Sequence, residues 1–259
     1  MHPYSKAQRL SSPLGGPHVL FDGSFVLEFL QPLPELDASV LMRATYVGGH
    51  ESLKLGKQHP QAPPLHIHFA QWESFIIEKG AIGTTSTWDT IDTIHTTNAN
   101  HVQGCISPSS LPARDDEGAT NISPWVPHQF WPLAPDHSFW TTTEGVAYEA
   151  SLPNARTLTS SFPPDMDAAF FLAILALTDA MMSKRVPMTP AVAANMFALQ
   201  TASDSALLIA PNARWLGPLR WIVPWYAQQA MEVVRKVLGG RDVVKLVEDI
   251  IMSEVVKRQ

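Results

Sequence analysis

The sequence predicts a mainly β fold, an antiparallel barrel or sandwich over residues 19–160, followed by an α-helical extension over 161–259. Three observations carry this. Between Val19 and Leu152 short runs rich in β-branched and aromatic residues alternate with turn residues; helical signals begin only after about residue 160; and the last segment repeats its apolar residues at helical spacing. Residues 1–18 read as an N-terminal arm. The β runs are Val19 to Phe29, Ser39 to Gly48, Leu65 to Phe69, Glu73 to Glu78, Ile82 to Trp88, Pro124 to Trp131 and Phe139 to Ala150. Between them the polar stretch from about Asp89 to Gly118, with Asp115-Asp116-Glu117, reads as a long loop that either lies over the barrel mouth or is disordered. Pro163-Pro164-Asp165 opens a helix running through Ser183, and Thr189-Pro190 opens another to about Gln200. From Leu207 to Tyr226 three prolines, 211, 218 and 224, argue for a packed or lid-forming loop rather than a continuous helix, despite Trp215, Trp221, Trp225 and Tyr226 beside Arg214 and Arg220, a composition that a membrane-surface element would share. After Gly239-Gly240, the residues Val243, Val244, Val247, Ile250, Ile251 and Val255 form the apolar face of a terminal helix, laid on the barrel or on a second subunit.

Composition limits the function classes. The chain has 259 residues, 45% hydrophobic and 16% charged, enough for a sizeable core. A formal charge of −6 and the absence of a Lys/Arg run exclude a phosphate-tracking surface, so no nucleic-acid partner is expected. The single cysteine, Cys105, and a start without an apolar signal core point to a cytoplasmic protein. The apolar run from Ala168 to Leu177 is far short of the about 20 residues a transmembrane helix needs, so no transmembrane segment is expected.

The chemistry concentrates in His66-Ile67-His68, Glu73 and Gly80. On a strand, residues two apart share a face, so both imidazoles project into the barrel while Ile67 turns away. Gln71-Trp72 then form a tight connection that lets Glu73 begin the adjacent antiparallel strand opposite the His pair, and Lys79-Gly80 end that strand. Two imidazoles and a carboxylate at this spacing are metal-ligand types.

The pattern HxHx4Ex6G resembles the first motif of the cupin superfamily. That resemblance implies a jelly-roll barrel binding one divalent metal ion through three His and one Glu. It places the fourth ligand at His128, within Ile122-Ser123-Pro124-Trp125-Val126-Pro127-His128-Gln129-Phe130-Trp131, which is similar to the family's second motif. The match departs at Pro60 and Trp125, where the family has glycines, and at Pro132, where it has Asn; these positions form turns and are not ligands. The implied metal set is therefore His66, His68, Glu73 and His128, with Fe foremost and Mn, Ni, Cu or Zn also suited to it.

Three imidazoles and one carboxylate leave open positions in an octahedral arrangement, as a catalytic site requires. The expected function is a mononuclear metal-dependent enzyme acting on a small, largely apolar oxygenated metabolite, as an oxygenase or oxidase first. A redox-neutral isomerase, lyase or cyclase of specialised metabolism, and a non-enzymatic small-molecule-binding barrel, are the alternatives. Tyr46, Trp72, Trp88, Phe130, Trp140 and Tyr148 line a substrate pocket or pack the core. His59 stands either at the rim as an acid or base, or in a plain loop, and Glu149 either points inward as a base or outward as an exposed carboxylate. The partners expected are the small-molecule substrate and a second copy in a homodimer.

Overall fold

A computed structural model describes residues 7–11, 13–31, 40–69, 71–96, 120–133, 137–144, 167–208 and 213–256. Eleven strands appear among them: β1 (His18–Leu20), β2 (Phe25–Leu30), β3 (Val40–Tyr46), β4 (His66–His68), β5 (Trp72–Lys79), β6 (Ala81–Ser86), β7 (Ile91–Thr96), β8 (Thr120–Ile122), β9 (His128–Pro132), β10 (His137–Glu144) and β11 (Ser205–Leu207). They form two antiparallel sheets, ordered β1-β2-β3-β10-β5-β8 and β11-β4-β9-β6-β7. Within these, β3-β10-β5-β8 faces β4-β9-β6-β7. From β3 to β10 the chain crosses between sheets at every second connection or sooner, which is the double Greek key of a jelly roll. Four α-helices appear among the described residues of the C-terminal part: α1 (Ala168–Met182), α2 (Pro190–Ala202), α3 (Leu219–Val237) and α4 (Val243–Glu254).

The turn between β5 and β6 is a single residue, Gly80, with φ of 70°, a conformation that a Cβ disfavours. Gly83 meets a different need. It lies opposite Trp131 across β6 and β9, and a Cβ there would stand 2.2 Å from the indole ring. That ring is fixed by donation from Nε1 to Thr85 Oγ1 at 3.2 Å and by Lys57 Nζ, 5.5 Å from its centre.

Both sheets are extended at the same edge, one by β1 and β2 beside β3 and the other by β11 beside β4. The helical part is thus not a separate layer, because its strand β11 pairs with β4 in register Ser205↔His68, Ala206↔Ile67 and Leu207↔His66. One buried cluster includes Phe25, Leu27, Met42 and Phe130 of the strands together with Leu172 and Ala176 of α1, Leu199 of α2 and Val243 and Ile250 of α4. The apolar face of α4 is therefore spent against α1 within the same chain. Buried Asp179 fastens α1 to the β1–β2 turn, accepting from Phe21 N–H and from Arg185 Nη2, each at 2.8 Å.

Several sequence expectations need correction. The run from Val19 to Phe29 is two strands, broken at Phe21 and Asp22, whose φ values are positive. Part of the stretch expected to be a loop after Asp89 is the strand β7, hairpinned to β6; the rest, 97–119, lies outside the described residues. Glu51–Gln58 forms 3₁₀ turns where no element was expected. The largest correction is α3, a helix through a segment whose prolines argued for a loop. Pro218 sits at its N-cap, where a missing N–H costs nothing, and Pro224 lies within its second turn. The helix holds because tertiary contacts outweigh that defect. Its polar stripe, Arg220, Gln228, Glu232 and Arg235, is turned inward. Gln228 donates from Nε2 to Ser205 O and accepts from Leu207 N–H, each at 3.0 Å, so its carboxamide completes the otherwise free edge of β11. Arg235 makes two hydrogen bonds to Glu232, at 2.7 and 2.9 Å. No helix among the described residues is long and apolar enough to cross a membrane.

Candidate metal centre

The alternation of β4 puts His66 and His68 on the inner face of the five-stranded sheet and Ile67, fully buried, on the outer face. Ile67 is covered there by Leu65, Phe69, Ala206 and Leu208, with Trp88, Trp221 and Trp225 packed against them. His128 opens β9 and lies directly beside His66 in the ladder. Glu73 corrects the sequence expectation. It does not pair beside the His strand: β5 belongs to the other sheet, bonded to β10 and β8, so the connection after Phe69 crosses the sandwich and the carboxylate reaches the imidazoles from across it.

The four side chains converge. Ring centres are 4.8 Å apart for His66 and His68, 4.4 Å for His66 and His128, and 5.1 Å for His68 and His128. One ligand atom from each of the four lies within 4.8 Å of all the others. Nδ1 of His66 is 2.9 Å from Pro64 O, and Nδ1 of His128 is 2.9 Å from Val126 O. A carbonyl only accepts, so both Nδ1 atoms carry the proton and both Nε2 atoms present a lone pair to the centre. The Glu73 oxygens stand 3.1 Å from His128 Nε2 and 3.4 Å from His68 Nε2. With the His128 proton on Nδ1, the shorter approach sets acceptor against acceptor. Accordingly His68 Nδ1 and Nε2, Glu73 Oε2 and His128 Nε2 are buried without a hydrogen-bond partner among the described residues.

Protonation follows the same geometry. Burial pushes His68 down to about 4, with His128 adding to the shift and Glu73 opposing it. His66 keeps some surface exposure, yet the groups packed round its ring, and then His128 and His68, hold it well below the ordinary imidazole range. Burial alone would raise Glu73, but His128 and His68 outweigh it and draw the carboxyl down to about 2. Near neutrality His66 and His68 are thus unprotonated and Glu73 is ionised, the states that bind a cation. Donors about 2.1 Å from one ion are separated by roughly 3–4 Å, a spacing this cluster meets with small adjustments. The residues fit a divalent metal, whose charge would compensate the buried acceptors of His68, Glu73 and His128 that are otherwise costly.

A cavity of about 130 Å³ opens beside the cluster, and His66, His68 and Glu73 form part of its wall. The rest is largely apolar, with Leu27, Met42, Phe130, Phe170 and Ile174 prominent. Of the aromatic residues the sequence suggested for a pocket, Phe130 is in this wall. Tyr46 is packed in the core, 5.2 Å from Phe25 and 5.5 Å from His59 between ring centres. Trp88 lies on the outer surface against Trp221 and Arg220. Trp72 and Trp140 stand on β5 and β10. Tyr148 and Glu149 lie outside the described residues. His59 is not at the rim but 2% exposed in the core, with Nε2 3.0 Å from Ser24 Oγ and Nδ1 accepting from Gln61 N–H at 3.1 Å.

Sequence reasoning missed the wall residues of the helical part, Phe170, Phe171, Ile174 and Leu175 of α1 with Gln200, Ser203, Ser205 and Leu207. The α1 residues read as one uniformly apolar helix, with no stripe to mark a cavity face. Ser203-Asp204-Ser205 reads as a turn, and only the pairing of β11 with β4 brings it to the site.

No family model and no curated protein matches the chain. Solved structures similar to it include a capsular polysaccharide assembling protein, CapF from Staphylococcus aureus, at 12% identity, 48% of this chain and a TM-score of 0.31. The chain spans only 29% of CapF. KdgF from Halomonas sp. is 9% identical over 54% of this chain and 88% of its own, with a TM-score of 0.30. The Schizosaccharomyces pombe Cnp3 cupin domain is 10% identical over 52% of this chain and 71% of its own, with a TM-score of 0.31.

Proposed function

We propose that this chain is a mononuclear metal-dependent enzyme acting on a small, largely apolar oxygenated molecule. The observation that carries the reading is the convergence of ligand atoms from His66, His68, Glu73 and His128 beside an apolar cavity, those of the last three being buried without a hydrogen-bond partner among the described residues. His66, His68, Glu73 and His128 would hold the ion, and three neutral imidazoles with one carboxylate suit Fe, Mn, Ni, Cu or Zn. Such an ion would supply Lewis acidity and, if redox-active, one-electron chemistry with O2. The chain's own contribution is to keep His66 and His68 unprotonated, to hold Glu73 ionised, to turn the Nε2 lone pair of His128 to the centre, to seat the apolar body of the substrate against Leu27, Phe130 and Phe170, and to exclude water from the reacting oxygens. We favour an oxidation, because an open-sided set of three imidazoles and one carboxylate beside a water-poor cavity leaves room for both a substrate oxygen and O2.

A redox-neutral isomerisation, lyase reaction or cyclisation is the second reading. It is favoured by the wall that Phe170, Phe171, Ile174 and Leu175 build against the cluster, which would hold a flexible apolar chain in one shape. Conversion of substrate under strict anaerobiosis selects this reading over oxidation.

Metal analysis of freshly purified protein tests the common part. About one ion per chain is expected in the wild type, and well under half of that in His66→Ala and Glu73→Gln with unchanged circular dichroism. If the wild type retains no metal, and added Fe, Mn, Ni, Cu and Zn bind it no more tightly than they bind His66→Ala, the reading is wrong, and a plain ligand-binding barrel replaces it.

A further inference from the structure

Apart from the metal cluster, four polar side chains among the described residues interrupt the apolar wall of the cavity: Gln61, Gln200, Ser203 and Ser205. Neither lysine nor arginine among the described residues contributes to that wall. Three of the four come from the α2–β11 segment, and the ladder places Ser205 beside His68, about 5 Å away at the usual strand spacing. Ser205 Oγ donates to Gln200 Oε1 at 2.6 Å. Ser203 Oγ lies 2.8 Å from Ser205 Oγ and donates to the Gln200 main-chain carbonyl at 2.9 Å. With its oxygen held by a hydroxyl, the Gln200 carboxamide presents its other end, and Nε2 has no partner among the described residues.

Gln61 is arranged in the same way. The Tyr46 hydroxyl donates to its Oε1, and burial pushes that phenol far above its ordinary range, so Tyr46 stays protonated and remains a donor. Gln61 Nε2 also has no partner among the described residues. Two carboxamides on the wall, each with its oxygen fixed by a hydroxyl donor, therefore carry N–H groups without a partner among the described residues, in a cavity that otherwise provides apolar contact and metal ligands.

We infer that Gln200, positioned by Ser205, and Gln61 form a subsite for a neutral carbonyl oxygen of the ligand. This rests on the proposed function, in which another oxygen of the same molecule faces the cluster of His66, His68, Glu73 and His128. The ligand class is a neutral apolar compound carrying a carbonyl and a second oxygen function, such as a hydroxyketone, a diketone or a quinone-like ring. A carboxylate is disfavoured, because no cationic side chain among the described residues of the wall would compensate its burial. A hydroxyl is a poorer match than a carbonyl, because amide nitrogens only donate. An engineered cavity of comparable volume, about 150 Å³, accommodates benzene, so a single-ring probe is suitable.

The test uses acetophenone, ethylbenzene and benzoate, which are similar in shape and differ in the polar group. Binding to the full chain is measured by ligand-observed NMR after EDTA treatment, so that metal coordination cannot create the preference, and zinc uptake is measured separately. The wild type binds acetophenone about five- to tenfold more tightly than ethylbenzene, the usual contribution of one or two net hydrogen bonds. In Gln61→Leu/Gln200→Leu that ratio falls to about one, while one zinc per chain is still taken up. Gln200→Glu keeps an oxygen for Ser205 but replaces one of the two donors by an acceptor, so it weakens the preference without a packing change. The inference is overturned if the wild type fails to bind acetophenone, if benzoate binds best, or if the double variant keeps the carbonyl preference. Failure of zinc and equally of Fe, Mn, Ni and Cu to bind the wild type would instead defeat the proposed function and leave the carbonyl preference readable.

Discussion

Acid should unfold the metal-free protein through the cluster, and His68 allows the size of the effect to be worked out. Its imidazole is 5% exposed and lowered from 6.5 to about 4, chiefly by burial. Between those two values the unfolded chain binds a proton at this site that the folded chain refuses. The contribution is therefore present above pH 6.5 and is lost as the pH falls towards 4. The full difference is about 3 kcal/mol, of which about 2 kcal/mol is lost by pH 5. His66, also lowered by burial, acts in the same direction, and Glu73, lowered from 4.5 to about 2, extends the loss into stronger acid. Urea unfolding of EDTA-treated protein, followed by tryptophan fluorescence at pH 7.5, 6, 5 and 4.5, should show the unfolding free energy falling over this range. In His68→Gln, which does not titrate there, the fall between pH 7.5 and 5 should be smaller by about 2 kcal/mol. If both proteins lose stability in parallel, His68 is not buried among these groups as described, and the site geometry is wrong.

Three further outcomes are expected. A divalent ion at about a hundred times its dissociation constant should stabilise the wild type by roughly 2.7 kcal/mol, raising Tm by about 5–10 °C at this chain length; differential scanning fluorimetry should show no such rise in His128→Ala. Gly83→Ala places a methyl group against the Trp131 ring and should cost about 2–3 kcal/mol in urea unfolding, with Gly83→Ala/Trp131→Leu recovering part of the loss. Asp179→Ala removes the acceptor shared by Phe21 N–H and Arg185, and should destabilise by about 2–4 kcal/mol; a loss under about 0.5 kcal/mol would show that α1 does not depend on this anchor.

The correspondence between sequence and structure is uneven, for physical reasons. Strand alternation is a local property, so His66 and His68 could be put on one face with Ile67 on the other from their spacing alone. The terminal helix was legible because Val243, Ile250 and Ile251 repeat at helical spacing. Its covering surface was not, since an apolar face specifies burial without naming a partner; here it packs on α1. The α3 segment misled because its prolines report a local cost, whereas Gln228 on the β11 edge and the Glu232–Arg235 pair are gains from contacts that proline content does not reveal.

By itself, the sequence determined an antiparallel β body with a helical tail and nominated the four candidate ligands, because side-chain period and residue chemistry are written in neighbouring positions. Only the tertiary structure decided that Glu73 reaches the imidazoles from the opposite sheet, that His59 is a core residue, and that α1, α2 and β11 contribute to the cavity wall. Those arrangements depend on which strands pair and which apolar faces meet, and such long-range choices are set by the packing of the whole chain.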